Sequence, residues 1–158
     1  MDNHEIASVF GRIADLMEFI DENPFKSRAY RMAAEVIEDA RASVADIASR
    51  GGTDELQKIP GIGKSISSQI VELIRTGKSS AFEEIKKRVP ETVLELRRVP
   101  GIGLKTSQLL YHDFGIKNLD DLKAFTSGGG LHSVQGLGEK VIKKITVFLD
   151  QLIEADQK

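Results

Sequence analysis

Along most of this chain apolar residues return every three or four positions, the period of an amphipathic helix rather than of a strand. Ile6, Val9, Phe10, Ile13, Leu16, Met17 and Ile20 predict a first helix. Asn23-Pro24 breaks it, and Pro24 suits the first turn of a second helix with Ala29, Met32, Ala33, Val36 and Ile37 on one side. Val44, Ile47 and Ala48 predict a short third helix closed by Gly51-Gly52. Ile66, Ile70 and Ile74 recur every four residues before a stop at Gly77. Two further helices are expected over Phe82–Arg88 and Glu91–Arg98, parted by Pro90. Leu109, Leu110 and Phe114 lead to Gly115. Leu119, Leu122 and Phe125 then mark a short helix before Ser127-Gly128-Gly129-Gly130. The last helix carries Val141, Ile142, Ile145, Phe148, Leu149 and Leu152. No convincing period-two run appears. The expected class is all-α.

Three glycine turns punctuate this pattern: Pro60-Gly61-Ile62-Gly63, Pro100-Gly101-Ile102-Gly103 and Gln135-Gly136-Leu137-Gly138. Gly61, Gly101 and Gly136 lie 40 and 35 residues apart, and each turn opens an amphipathic helix. Two glycines let the backbone turn tightly and approach a ligand without Cβ atoms between. The following helix aims its unbonded N–H groups at the same point, which makes a seat for an anion such as phosphate. These are the features of helix-hairpin-helix units. Ile62, Ile102 and Leu137 are expected to tuck between the paired helices. Beyond the turns, Lys64, Ser65 and Ser68 in the first unit, and Lys105 and Thr106 in the second, can add charge or hydroxyls. The third opens with Glu139, which repels phosphate, although Lys140, Lys143 and Lys144 follow. The second hairpin therefore ranks first, the first close behind, and the third as partly structural. Such contacts go to nucleic-acid backbone and carry no sequence information. A Gly-x-Gly can also be a plain helix–helix connection, so it is the threefold recurrence that favours DNA.

Composition narrows the classes. No run approaches a membrane span, and the start Met1-Asp2-Asn3-His4-Glu5 lacks the layout of a signal peptide, so a cytoplasmic protein is expected. With no cysteine, disulfides and thiolate metal sites are excluded. His4, His112 and His132 are far apart and read as surface residues. A net charge of −2 is unusual for a nucleic-acid binder, yet the distribution is uneven. Residues 1–50 carry 6 Lys/Arg against 10 Asp/Glu, residues 51–117 carry 11 against 8, and residues 118–158 carry 5 against 6. The positive excess collects around the first two hairpins, which points to few phosphate contacts and weak, salt-sensitive binding.

The stretch Asn23-Pro24-Phe25-Lys26-Ser27-Arg28-Ala29-Tyr30-Arg31-Met32-Ala33-Ala34, followed by Ile59-Pro60-Gly61-Ile62-Gly63-Lys64, resembles the amino-terminal part of family X DNA polymerases. The likeness is to the polymerase-beta-like group, its bacterial members especially. It continues through Arg98-Val99-Pro100-Gly101-Ile102-Gly103, Tyr111, Gly115–Leu122 and the third hairpin. It implies a lyase-type helical domain over residues 1–80 with the first hairpin, and a fingers-like DNA-binding domain over 81–158 with the other two. In that family a palm domain with metal-binding aspartates follows. These residues hold no Asp-x-Asp, and Asp120-Asp121 suits a helix start. Without clustered carboxylates there is no place for the metal pair of phosphoryl transfer, so no polymerase activity is expected of this chain alone.

The resemblance also implies a 5′-phosphate pocket in which Lys26 and Tyr30 match. A buried aromatic with its hydroxyl at the surface accounts for Tyr30 equally well. The family's Schiff-base lysine falls at Gln69, whose amide cannot form one, and two supporting lysines fall at Ser65 and Ala81. Lys64, Lys78 or Lys58 would have to substitute. A sodium or potassium ion is further implied at backbone carbonyls of Gln57, Ile59 and Ile62 and of Arg97, Val99 and Ile102; no other cofactor is required. The expected function is sequence-independent binding of gapped, nicked or 5′-phosphorylated DNA in repair or replication, by a monomer with a repair-protein partner. A deoxyribose-phosphate lyase with a relocated lysine and a protein-interaction module are the alternatives. Either a piece of a longer polymerase or a natural stand-alone protein is expected, and the polar end Ala155-Asp156-Gln157-Lys158 leans toward a natural terminus.

Overall fold

The computed structural model describes residues 1–156; the end of the polar tail, Gln157 and Lys158, lies outside them. Every regular element among the described residues is helical. They form two compact units, 1–89 and the described residues from 90 onward.

The first unit contains α1 (Asn3–Phe19), α2 (Pro24–Asp39), α3 (Val44–Leu56), α4 (Lys64–Thr76) and α5 (Ser80–Arg88). Helices α1 and α2 pair antiparallel, burying Ile6, Phe10, Ile13 and Leu16 against Tyr30, Ala33 and Ile37. The buried stripe of α2 is therefore rotated from the expected one, and Met32 is 55% exposed. Two polar devices set the pairing. The Arg31 guanidinium bridges Asp15 and Glu18 at 2.9 Å each. Asn3 donates to the Ala40 and Ala42 carbonyls and accepts the Val44 amide at 2.9 Å, tying the α2–α3 connection to the start of α1.

Gly51-Gly52 does not end α3 outright. Gly52, at φ 61° and ψ −147°, breaks its axis, and the chain resumes as one more helical turn, Thr53–Leu56, leading into the first hairpin. Only glycine takes such a conformation readily.

Helix α5 was expected in the second part but packs in the first unit. Phe82 is buried, with the Arg12 guanidinium 5.3 Å and the Lys86 ammonium 4.4 Å from its ring centre. Arg88 reaches Glu22 at 2.9 Å. The compact units consequently part at Val89/Pro90 rather than after Ser80.

The second unit contains a 3-10 helix over Glu91–Arg98, α6 (Leu104–Phe114), α7 (Leu119–Ser127), a 3-10 turn over Gly130–Ser133 and α8 (Glu139–Asp156). Leu96, Val99, Ile102, Leu110, Ile116, Leu122, Leu131, Val134, Ile142, Ile145 and Leu149 form its core. The segment 91–98 was expected as an ordinary helix, and no element was expected over 130–133. Bonds three residues back close both segments, from the Val93 amide to the Pro90 carbonyl and from the His132 amide to the Gly129 carbonyl, the tighter winding used in short connecting pieces. Gly115 ends α6 at φ 68°, and the Ile116 amide bonds back to the Leu110 carbonyl at 3.1 Å. Asp120-Asp121 does begin a helix: Asn118 accepts the Asp121 amide, while the Asp121 carboxylate accepts the Lys117 amide at 3.0 Å.

Candidate nucleic-acid interface

The three glycine turns share one backbone. Gly61, Gly101 and Gly136 sit at φ 96°, 94° and 90°, the left-handed region that makes glycine the natural occupant. In each, the apolar residue of the turn donates its amide three residues back: Ile62 to Ile59 at 3.0 Å, Ile102 to Val99 at 3.0 Å, Leu137 to Val134 at 3.4 Å. Ile62 and Ile102 are buried as expected, and Leu137 packs, partly buried, on the second unit's core.

The two glycines of a turn do different jobs. A Cβ on Gly61 would meet Val36 at 3.0 Å, and one on Gly101 would meet Val141 at 2.9 Å. These first glycines let the turn lie flat on α2 and on α8 respectively. At Gly63, Gly103 and Gly138 a Cβ would meet nothing within 4 Å. Gly63 and Gly103 have extended backbone, at φ −92° and −95°. The protein itself asks for no glycine there, and the space that a Cβ would fill faces solvent.

Helix starts sharpen the contrast. Asp2, Asn23, Ser43, Ser79 and Asn118 each accept a backbone N–H at the first turns of α1, α2, α3, α5 and α7. Helices α4 and α6 begin at Gly63 and Gly103 with no side-chain cap. Their first-turn amides therefore point outward with partial positive charge and no carboxylate or hydroxyl spending it. Lys64, Ser65 and Lys105 are exposed around these starts and Thr106 is half-buried; Ser68 is exposed but donates its hydroxyl to the Lys64 carbonyl at 3.1 Å. At the third hairpin Lys140, Lys143 and Lys144 are exposed on α8, whereas Glu139 stands at the turn with the His132 ring 3.6 Å away.

Sequence reasoning missed one recurrent pair. Ser67 and Ser107 are fully buried, four residues after Gly63 and Gly103. Each donates its hydroxyl to the carbonyl at the head of its own helix, Lys64 at 2.8 Å and Leu104 at 2.7 Å. Each also sends its amide to the capping glycine's carbonyl at 2.9 Å. A small self-satisfied side chain lets the hairpin close tightly. The signal was the same residue at the same offset in two repeats; the third has Ile142 there.

The resemblance to family X polymerases assigns a monovalent cation to the backbone carbonyls of Gln57, Ile59 and Ile62, and of Arg97, Val99 and Ile102. The Ile59 and Val99 carbonyls each accept the turn amide, and a carbonyl oxygen carries a second lone pair, the kind of donor a hard cation takes.

The residues aligned with a 5′-phosphate pocket converge in the first unit. Met17, Glu22, Lys26, Tyr30, Ala81, Glu84, Ile85 and Arg88 line a cavity of about 270 Å³. The Tyr30 ring is buried and stacked on Phe10, with 5.8 Å between centres, and it forms part of the cavity wall. Burial pushes its hydroxyl pKa up, the Glu72 carboxylate adds to that, and a hydrogen bond with Ser65 opposes both. Gln69 serves as a brace. Its carbonyl accepts the Ser79 hydroxyl at 2.7 Å and the Ala81 amide at 3.2 Å, and its NH₂ donates to Ser80 at 3.2 Å. Glu72 accepts from the Ser80 amide and hydroxyl, completing the joint between α4 and α5. None of Lys58, Lys64 and Lys78 lines this cavity. Lys58 is paired with Glu55 at 2.6 Å, a contact that raises its pKa and opposes the neutral amine a nucleophile needs.

His4 is 2.9 Å from Glu38, and among the described residues no three His, Cys, Asp or Glu side chains form a metal-binding group. No described helix is long and apolar enough to cross a membrane.

Comparison with known proteins agrees with this geometry. Residues 1–79 match the helix-hairpin-helix domain model, and residues 93–151 match the SAM-like helix-hairpin-helix tandem. The chain is 34% identical over 151 residues to the DNA polymerase/3′-5′ exonuclease PolX of Bacillus subtilis, covering 96% of this chain and 25% of that protein. It is 32% identical over 145 residues to DNA polymerase lambda of Arabidopsis thaliana, covering 90% of this chain and 25% of the relative. With DNA polymerase lambda of Rattus norvegicus it shares 32% over 99 residues, 62% of this chain and 16% of that one. The chain thus spans about a quarter or less of the relatives it matches. With both units matched and all three turns sharing a left-handed glycine and the same turn hydrogen bond, the chain belongs to the helix-hairpin-helix family and is homologous to the amino-terminal region of family X DNA polymerases.

Proposed function

We propose that this chain binds DNA through its phosphate backbone, without sequence preference, at gaps, nicks or 5′-phosphorylated ends. The observation that carries this reading is the pair of uncapped, glycine-led helix starts at Gly63 and Gly103, in a chain that caps α1, α2, α3, α5 and α7 with side chains. At each hairpin a DNA phosphate would accept from the first-turn amides, those of Gly63–Ser65 in the first unit and of Gly103–Lys105 in the second, with Lys64 and Lys105 adding charge. The third hairpin contributes less, because Glu139 stands at its mouth. Carbonyls of Gln57, Ile59 and Ile62, and of Arg97, Val99 and Ile102, would hold a sodium or potassium ion that neutralises part of the phosphate charge. Lys26 and Tyr30 would receive a 5′-phosphate. The names of the polymerase relatives support the DNA reading.

Titration of a one-nucleotide-gapped duplex, followed by backbone amide NMR at low salt, tests it. Resonances of Gly61–Ser65 and Gly101–Lys105 should shift first, and the affinity should fall steeply as salt rises. Shifts confined to other surfaces, or none, refute the reading.

A further inference from the structure

The cavity beside Tyr30 holds a charge arrangement that the hairpins do not explain. Its walls carry two cations, Lys26 and Arg88, and two carboxylates, Glu22 and Glu84. With Ser65, Gln69 and Ala81 standing where lysines were expected, its charge is balanced and not positive. A phosphate monoester brings about −1.5 to −2 charges, and a neutral cavity would hold it poorly. Arg88 lies on the face of α5 that also presents Ala81 and Glu84 or Ile85, at helical spacing. It thus reaches the same cavity from two turns further along. It is not idle there: Glu22, beyond the end of α1, holds it at 2.9 Å. The pair is half-exposed, with 49% of the Arg88 and 26% of the Glu22 side chain accessible, and ion pairs of that kind hold weakly.

We infer that Arg88 is the principal phosphate-binding cation of this cavity and that Glu22 is an internal competitor for it. This rests on the 5′-phosphate reading above and adds a residue and a gate to it. On entry of a terminal phosphate, Arg88 exchanges the Glu22 carboxylate for two phosphate oxygens, which its planar fork matches. Lys26 closes from the first turn of α2. A 5′-hydroxyl end offers no anion and leaves the Arg88–Glu22 pair in place. The cavity's ~270 Å³ lies just below the span of drug-sized ligand sites, roughly 300–1,000 Å³, and suits a terminal phosphate.

The test is the affinity ratio between two one-nucleotide-gapped duplexes, identical except for a downstream 5′-phosphate or 5′-hydroxyl, measured by fluorescence anisotropy at low salt. Arg88→Gln should bring the ratio close to one. Glu22→Gln removes the competitor and a negative charge, and should raise the ratio on the order of tenfold, the scale of one charge-assisted hydrogen bond. Were the pair only a brace for α5, both variants would break it and move the ratio the same way; that result overturns the inference. It is also overturned if Lys26→Ala lowers the ratio while neither Arg88→Gln nor Glu22→Gln changes it, although the 5′-phosphate cavity then survives. If the native chain and Glu22→Gln both show a ratio of one, the cavity reading itself fails. Far-UV circular dichroism of each variant reports the state of α5 independently.

Discussion

Gly63→Ala and Gly103→Ala, singly and together, separate the two jobs of a glycine hairpin. Both residues have extended backbone that alanine adopts, and a Cβ at either would meet no atom within 4 Å. Losing glycine at a helix N-cap costs a few tenths of a kcal/mol or more, while the smaller entropy of the unfolded chain returns about 0.4–1 kcal/mol. Folding stability should therefore stay within about 1 kcal/mol of the parent. Binding should not. The new methyl occupies the space through which a phosphate reaches the first-turn amides, and charge-assisted hydrogen bonds are each worth about 1.5–3 kcal/mol. Losing one at each hairpin weakens DNA binding by about tenfold or more per site. The double variant should fall toward the product of the two, since the hairpins belong to separate units. Urea unfolding and anisotropy titration on the same preparations read both quantities. Full stability with unchanged affinity for gapped DNA would refute the claim that main-chain donors form the seat.

Three further outcomes follow from the same geometry. Gly136→Ala carries only the left-handed backbone penalty, about 1–2 kcal/mol, because nothing lies within 4 Å, whereas Gly101→Ala adds a Val141 contact at 2.9 Å; thermal melts should rank Gly101→Ala clearly below Gly136→Ala. Gln69→Leu leaves the Ser79 hydroxyl and Ala81 amide without their acceptor and should cost about 1–3 kcal/mol per donor in urea unfolding; no loss would mean that Gln69 is no brace. His4 has its pKa raised above 6.5, first by the hydrogen bond and then by the charge of Glu38. The folded value lies above the unfolded one, so the stabilisation is present below 6.5 and is lost as pH rises through the folded value. The His4 ring protons should titrate above 6.5 in the parent and return toward it in Glu38→Gln, and an unchanged midpoint would dissolve the pair.

Much of the site was legible before folding because hairpin chemistry is local. A left-handed residue at Gly61 or Gly101, an apolar residue that tucks under it and a glycine that opens a helix all lie within four positions, so short-range sterics write them directly into the chain. The helices follow for the same reason wherever the apolar period runs beyond two turns. Thr53–Leu56 and Gly130–Ser133 escaped, having too few residues for a period to show, and Glu91–Arg98 was legible as a helix but not as a 3-10 one.

The sequence by itself determined the helices, the three turns and the lack of a lysine at position 69. Tertiary structure alone decided what surrounds them. It rotated the buried stripe of α2 onto Tyr30, placed α5 with the first unit, made Gln69 the joint between α4 and α5, and brought Glu22 to Arg88 across 66 positions. Those outcomes depend on how helix faces pack and on charges far apart in the chain, and neither quantity exists until the helices have been brought together.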